Sequence, residues 1–228
     1  MSDNMEALVE EIAERLRRLG PDARTPDIRA VRREYSRRLR GAPAREVVQL
    51  ARLLLEVHGR RDVAYELLFH HKAAFHSLTA REIEELGAGM ASWGAVDCYG
   101  AYIAGPAWSA DIIDDETIHR WARSPDRWWR RAALVSTVYL NDEASRVVER
   151  ALPVCRVLAA DRDDMVVKAL SWALRSLIRY DRKAVEAFLS EHHSVVASRV
   201  KREVRDKLET GLKNPPATRR RSATRPDT

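Results

Sequence analysis

Tryptophan and charge meet at helical spacing in three segments of this chain. Trp93 and Asp97, in Ser92-Trp93-Gly94-Ala95-Val96-Asp97, are four apart. Trp128 and Arg131 are three apart, and Lys168, Trp172 and Arg175 fall at i, i+4 and i+7. Such spacings share one helix face. A carboxylate, guanidiniums and flat aromatic surfaces gathered in one concave site suit a cationic, sugar-like or nucleic-acid ligand. Asp97 beside the apolar wall of Trp93 is suited to oppose an oxocarbenium-like centre. Arg131, followed by small Ala132-Ala133, suits a bidentate phosphate clamp. Lys168, Trp172 and Arg175 have the basic–aromatic interleaving that holds nucleic acid. Each has a plainer reading. Trp93 is then half-buried beside an exposed Asp97, Arg131 joins a surface ion pair, and a cation stacks on a partly buried Trp172.

The elements that must carry these residues are helices. Leu8, Ile12, Leu16 and Leu19 form an apolar stripe ended by Gly20-Pro21. Thr25-Pro26-Asp27 reads as a cap with a first-turn proline, and Thr79 with Glu82 as a capping box. Asp114-Asp115-Glu116 and Ser124-Pro125-Asp126 open two more helices. Further helices are expected near 43–57, 61–72, 93–103, 142–158, 163–180, 181–191 and 194–212. No period-two run is long enough for a strand. Helix pairs recur at about 35–45 residues, the scale of HEAT-like repeats. The expected fold is all-α, a HEAT-like helical repeat superhelix (an α-solenoid) with a concave binding face. One such domain is expected over 1–212, with a disordered basic tail over 213–228.

The net charge of +6 is unevenly spread. The tail holds +4, residues 1–60 hold +3, 61–120 hold −6 and 121–212 hold +5. This segregation favours an anionic partner. Cys98 and Cys155 lie in apolar helical runs and read as reduced core thiols. There is no secretory leader pattern and no membrane-length apolar run, so a cytoplasmic setting is expected. His70-His71 and His76 lack further ligands at familiar spacing, so no metal is expected. No phosphate loop or nucleophile elbow is present, and no cofactor is expected.

Taken together the segments resemble the AlkD-like DNA alkylation repair glycosylases, over roughly residues 43–212. Ser92-Trp93 through Val96-Asp97 is similar to the family's Ser-Trp-x-x-Val-Asp. Trp121 through Ala133 resembles its Trp-x-x-Arg-Ala-Ala region, and Lys168 through Arg175 its Lys-Ala-x-x-Trp-x-Leu-Arg. The resemblance implies excision of cationic 3- and 7-alkylated purines from duplex DNA without base flipping. It implies Asp97 as the catalytic carboxylate and Trp93 and Trp172 against the lesion sugar. It further implies Arg131 on the backbone, with Arg175 as a supporting contact. Double-stranded alkylated DNA is then the partner of a monomer associated with the nucleoid. The family also carries an aromatic Tyr on its N-terminal helix, whereas residues 1–34 here contain no aromatic and Tyr35 is the first. Two other classes stay open. One is a non-catalytic DNA-binding relative that recognises bent or branched DNA. The other is a helical-repeat scaffold for proteins.

Full-length protein is expected to bind duplex DNA without sequence preference and to lose affinity steeply with salt. Deleting residues 213–228 lowers affinity and flattens the salt slope in a fluorescence-anisotropy titration. No salt-sensitive binding by the full chain leaves only the scaffold.

Overall fold

Apolar side chains at three- and four-residue spacing make each element a helix with one buried face. The computed structural model describes residues 3–216, and these contain no strand. The helices group into two compact units that divide at Ile113/Asp114, within the span expected to form a single domain. Residues 217–228, the greater part of the expected basic tail, lie outside the described residues. No described helix is long and apolar enough to cross a membrane.

The first unit contains α1 (Asp3–Arg17), α2 (Thr25–Arg38), α3 (Ala44–Glu56), α4 (Arg61–His70), α5 (Lys72–His76), α6 (Ala80–Gly87), α7 (Trp93–Tyr99) and α8 (Gly105–Ser109). Alternate helices stack, α1 on α3, α3 on α5 and α2 on α4, and α4 packs on α7. That is the layering of a helical repeat. In α1 the buried stripe is Met5, Val9, Ile12 and Leu16, while Leu19, beyond the helix end, is 36 % exposed. α2 starts one residue earlier than its cap signal suggests. Thr25 is its first residue, and the Asp27 carboxylate accepts from the Arg24 backbone N–H at 3.2 Å. The Thr79–Glu82 box forms as expected, with Glu82 N–H donating to Thr79 Oγ1 at 3.2 Å and Thr79 N–H to Glu82 Oε2 at 2.9 Å. α4 is the unit's centre, with Val63 to Leu68 all buried. Among them is Glu66, whose carboxylate accepts from Arg29 and from Arg32, each at 2.9 Å.

The helix expected over 93–103 runs further and changes pitch. Between α7 and α8 lies a π-helical segment, Gly100–Ala104, in which the Gly105 N–H donates to the Gly100 carbonyl. The physical reason is Pro106. It has no N–H for the carbonyl four residues back, and its ring crowds that carbonyl, so a wider turn relieves the clash.

The second unit contains α9 (Asp115–Ala122), α10 (Arg127–Val138), α11 (Ala144–Val157), α12 (Asp164–Leu177), α13 (Arg182–Glu191) and α14 (Ser198–Thr210). α10 packs on α12, α12 on α14, and α9 on α11. Asp114 and Asp126 cap α9 and α10, accepting from Thr117 N–H and Trp128 N–H, both at 2.8 Å. α10 is enclosed, with Arg131 through Thr137 buried. Arg150 on α11 is 8 % exposed and donates to Asp115 at 2.8 Å, tying α11 to α9.

Glu66→Leu leaves two guanidiniums facing an apolar side chain. It is expected to cost about 3–5 kcal/mol, the range for breaking a buried ion pair. Urea unfolding followed by circular dichroism measures it. A loss below about 1 kcal/mol, the size of an exposed pair, removes Glu66 as the tie between α2 and α4.

Candidate functional site

The start of α7 is fixed from beneath by α4 and α6. Helix C-termini leave carbonyls without intrahelical partners, and those of α6 are taken by side chains. The Tyr65 hydroxyl donates to the Leu86 carbonyl at 2.6 Å, and one turn earlier the Tyr99 hydroxyl adds a bond to the Ile83 carbonyl at 2.8 Å. Arg61 donates to Leu86 at 3.1 Å and to Ala88 at 2.7 Å. Gly89 then turns the chain at φ +68°, a conformation that favours glycine, and its Cβ position faces the Arg61 guanidinium at 3.4 Å. Burial pushes the Tyr65 phenol up to about 12 and Tyr99 well above its ordinary value, so both remain hydroxyl donors. Ser92 caps α7, its Oγ accepting from Ala95 N–H at 3.2 Å.

On this base Trp93 is 62 % exposed, and Asp97, one turn on, is half-buried. This reverses the plainer reading of a half-buried Trp beside an exposed Asp. A large exposed indole at a helix start offers a flat apolar surface to a ligand. The next residue, Cys98, has its thiol pushed up to about 12 by burial and by the nearby Asp62 and Glu66 carboxylates. Cys155, fully buried, is likewise raised to about 12.

The second unit carries a cleft of about 640 Å³. Trp172 and Arg175 of the sequence-derived stripe line it, together with Tyr139, Arg179 and Lys207. Tyr139 meets Trp172 edge-on, with ring centroids 5.9 Å apart. Arg175 Nε donates to Ser171 Oγ at 3.3 Å, and Ser171 in turn donates to the buried Glu203 at 2.6 Å. Burial lowers the Arg175 pKa and Glu203 opposes that, yet a guanidinium keeps its charge. Lys168 does not line this cleft. Its ammonium pairs with Asp164 at 2.6 Å on the same helix.

Arg131 is buried rather than exposed to solvent. It is 5 % exposed, and its Nη1 donates to the Met165 carbonyl at 2.6 Å, so it ties α10 to the first turn of α12. Its neighbours divide the remaining work. Arg130 donates to Asp161 at 2.8 Å and to the Ser124 and Pro125 carbonyls, while Arg127 lies over the Trp128 ring. Trp129 packs on the buried Trp121 with centroids 4.8 Å apart. The sequence reading missed Tyr139, Arg179 and Lys207. Arg179 was in reach, four residues beyond Arg175, whereas Tyr139 and Lys207 arrive from other helices. Tyr35, the first aromatic, is core: it is fully buried and donates to Glu11 at 3.0 Å.

The fold and these sites define an all-α helical-repeat protein with an aromatic–carboxylate pair on one helix and an arginine-lined aromatic cleft on others. The chain belongs to the DNA alkylation repair enzyme family, whose model matches residues 9–208 and so includes every candidate residue. No curated protein and no solved structure is matched by the chain.

Arg131→Ala is expected to destabilise the fold by about 1–3 kcal/mol, because the Met165 carbonyl loses its charged donor inside the protein. Chemical denaturation measures this directly. Unchanged stability with weakened duplex binding returns Arg131 to the role of a phosphate clamp.

Proposed function

We propose that this protein releases cationic 3- and 7-alkylated purines from double-stranded DNA by hydrolysing the N-glycosidic bond. It does so without base flipping, metal or cofactor, as a monomer on nucleoid DNA. The observation that carries this reading is the pair on α7, an exposed Trp93 one turn ahead of a half-buried Asp97, in a chain of the DNA alkylation repair family. An alkylated purine already bears positive charge and departs with the bonding electrons. The sugar becomes oxocarbenium-like. The Asp97 carboxylate opposes that charge, Trp93 packs on the deoxyribose, and water adds to the sugar carbon and gives up a proton to solvent. The Trp172–Arg175 cleft supplies a further aromatic surface and a backbone contact.

Asp97→Asn keeps size and hydrogen-bonding capacity but removes the charge. It is expected to keep fold and DNA binding and to slow single-turnover release of 7-methylguanine by about 10²–10³-fold, the usual loss for one preorganised electrostatic group. An Asn variant as active as wild type removes Asp97 from the mechanism.

Burial of Tyr35 favours a second reading. The N-terminal helices then offer the lesion no aromatic, and the protein binds bent or branched DNA without excision. Salt-sensitive duplex binding with no release of any alkylpurine by wild type selects it.

A further inference from the structure

Three cations line the cleft of the second unit, and they are held in different ways. Lys207 donates to the Gly211 carbonyl at 2.7 Å and Arg179 to the Tyr180 hydroxyl at 2.6 Å, and both bonds are exposed. Arg175 is anchored inward. Its Nε donates at 3.3 Å to Ser171 Oγ, one turn earlier on α12. The fully buried Ser171 hydroxyl donates in turn to Glu203 Oε2 on α14 at 2.6 Å. Glu203 is itself 4 % exposed. Lys213 stands 3.6 Å from the same oxygen, too far for a hydrogen bond.

Burying a carboxylate is unfavourable unless it is well paired. Joining α12 to α14 needs no charge, since apolar side chains of similar volume often join helices as well. What a carboxylate adds is direction. An ionised carboxylate only accepts, so the Ser171 proton is committed to Glu203 and the lone pairs of the hydroxyl are left for Arg175. A guanidinium is planar, so a bond at Nε fixes both its plane and the direction of its two terminal nitrogens. Those nitrogens make no hydrogen bond with another described residue, and Arg175 lines the cleft beside Trp172. In Glu203→Gln the side-chain amide can donate to Ser171. The hydroxyl proton then turns towards Arg175, and two donors face each other.

We propose that Glu203 is a positioning residue, acting through Ser171 to fix the Arg175 guanidinium with its terminal nitrogens free for a ligand beside Trp172. The proposal rests on the reading of this cleft as a contact to the DNA backbone. The rival role for Glu203 is a plain tie between α12 and α14.

Two measurements on the full chain test it, and the first needs no DNA. In nitrogen-labelled protein the Nε–H resonance of Arg175 is identified by its loss in Arg175→Ala. Its hydrogen exchange is expected to speed up about tenfold in both Ser171→Ala and Glu203→Gln, as for loss of a hydrogen bond to a charged group. The second is duplex binding by fluorescence anisotropy. Each variant is expected to weaken it about three- to tenfold, and neither to weaken it further in the Arg175→Ala background, since groups acting as a unit are not additive. Circular dichroism checks that the variants fold, and Ser171→Ala, the smaller change, keeps the test available if Glu203→Gln does not. A plain tie gives lower stability with unchanged Arg175 exchange, or affinity losses that add in full to that of Arg175→Ala. Either result overturns the proposal. Duplex binding indifferent to Arg175→Ala refutes the backbone-contact reading of the cleft instead, and the exchange rates then decide the positioning by themselves.

Discussion

The first unit's candidate chemistry depends on how α6 ends. A helix terminus inside a protein exposes carbonyls that must find donors. Here Tyr65 and Arg61 from α4 supply them, and Tyr99 from α7 bonds to the Ile83 carbonyl one turn earlier. Two helices are thereby bolted to the backbone of a third. The connection through Gly89 to Ser92 has little freedom left, and the direction of α7 is settled. Trp93 can then remain exposed without being loosely held, because the order comes from the backbone below it. Preorganisation of this kind is what an electrostatic catalyst needs, since a carboxylate that must first be oriented stabilises little.

Arginine serves two ends in this chain, and burial separates them. Arg32, Arg131 and Arg150 are each buried and join helices through Glu66, Met165 and Asp115. Arg33, Arg37 and Arg40 are exposed and lie along a pocket. Arg175 is intermediate, half-buried beside Ser171 while lining a cleft with Trp172. Composition counts all of these alike. The planar fork of donors explains why one residue type serves both ends: it satisfies a backbone carbonyl as readily as an external oxyanion.

Most helices were legible because their signals are local. The Thr79–Glu82 box, the caps at Asp114 and Asp126 and the apolar stripe of α12 are all contained within a few residues. The Trp93–Asp97 and Trp172–Arg175 spacings were legible for the same reason. Other features depend on tertiary packing. Spacing cannot tell whether Arg131 faces solvent or the next helix, and only the contact between α10 and α12 places it against Met165. Lys168 lies on α12 as its spacing suggests, and Asp164, one turn earlier, holds its ammonium. Tyr139 and Lys207 meet Trp172 only because three helices pack together. Leu19 kept the period of α1 but fell beyond its end.

The π segment divides one helical rod into two phases. An α-helix advances by about 100° per residue. A single extra residue in the turn at Gly100–Ala104 therefore rotates everything after it relative to everything before. Asp97 obeys the phase set by α4 and α6, whereas the fully buried Trp108 obeys the phase of its own hydrophobic surroundings. In an uninterrupted helix these two demands are locked together, and seating the large indole in the core would dictate where the carboxylate points. The wide turn acts as a phase slip, letting the core and the carboxylate face be settled independently along one continuous stretch of chain.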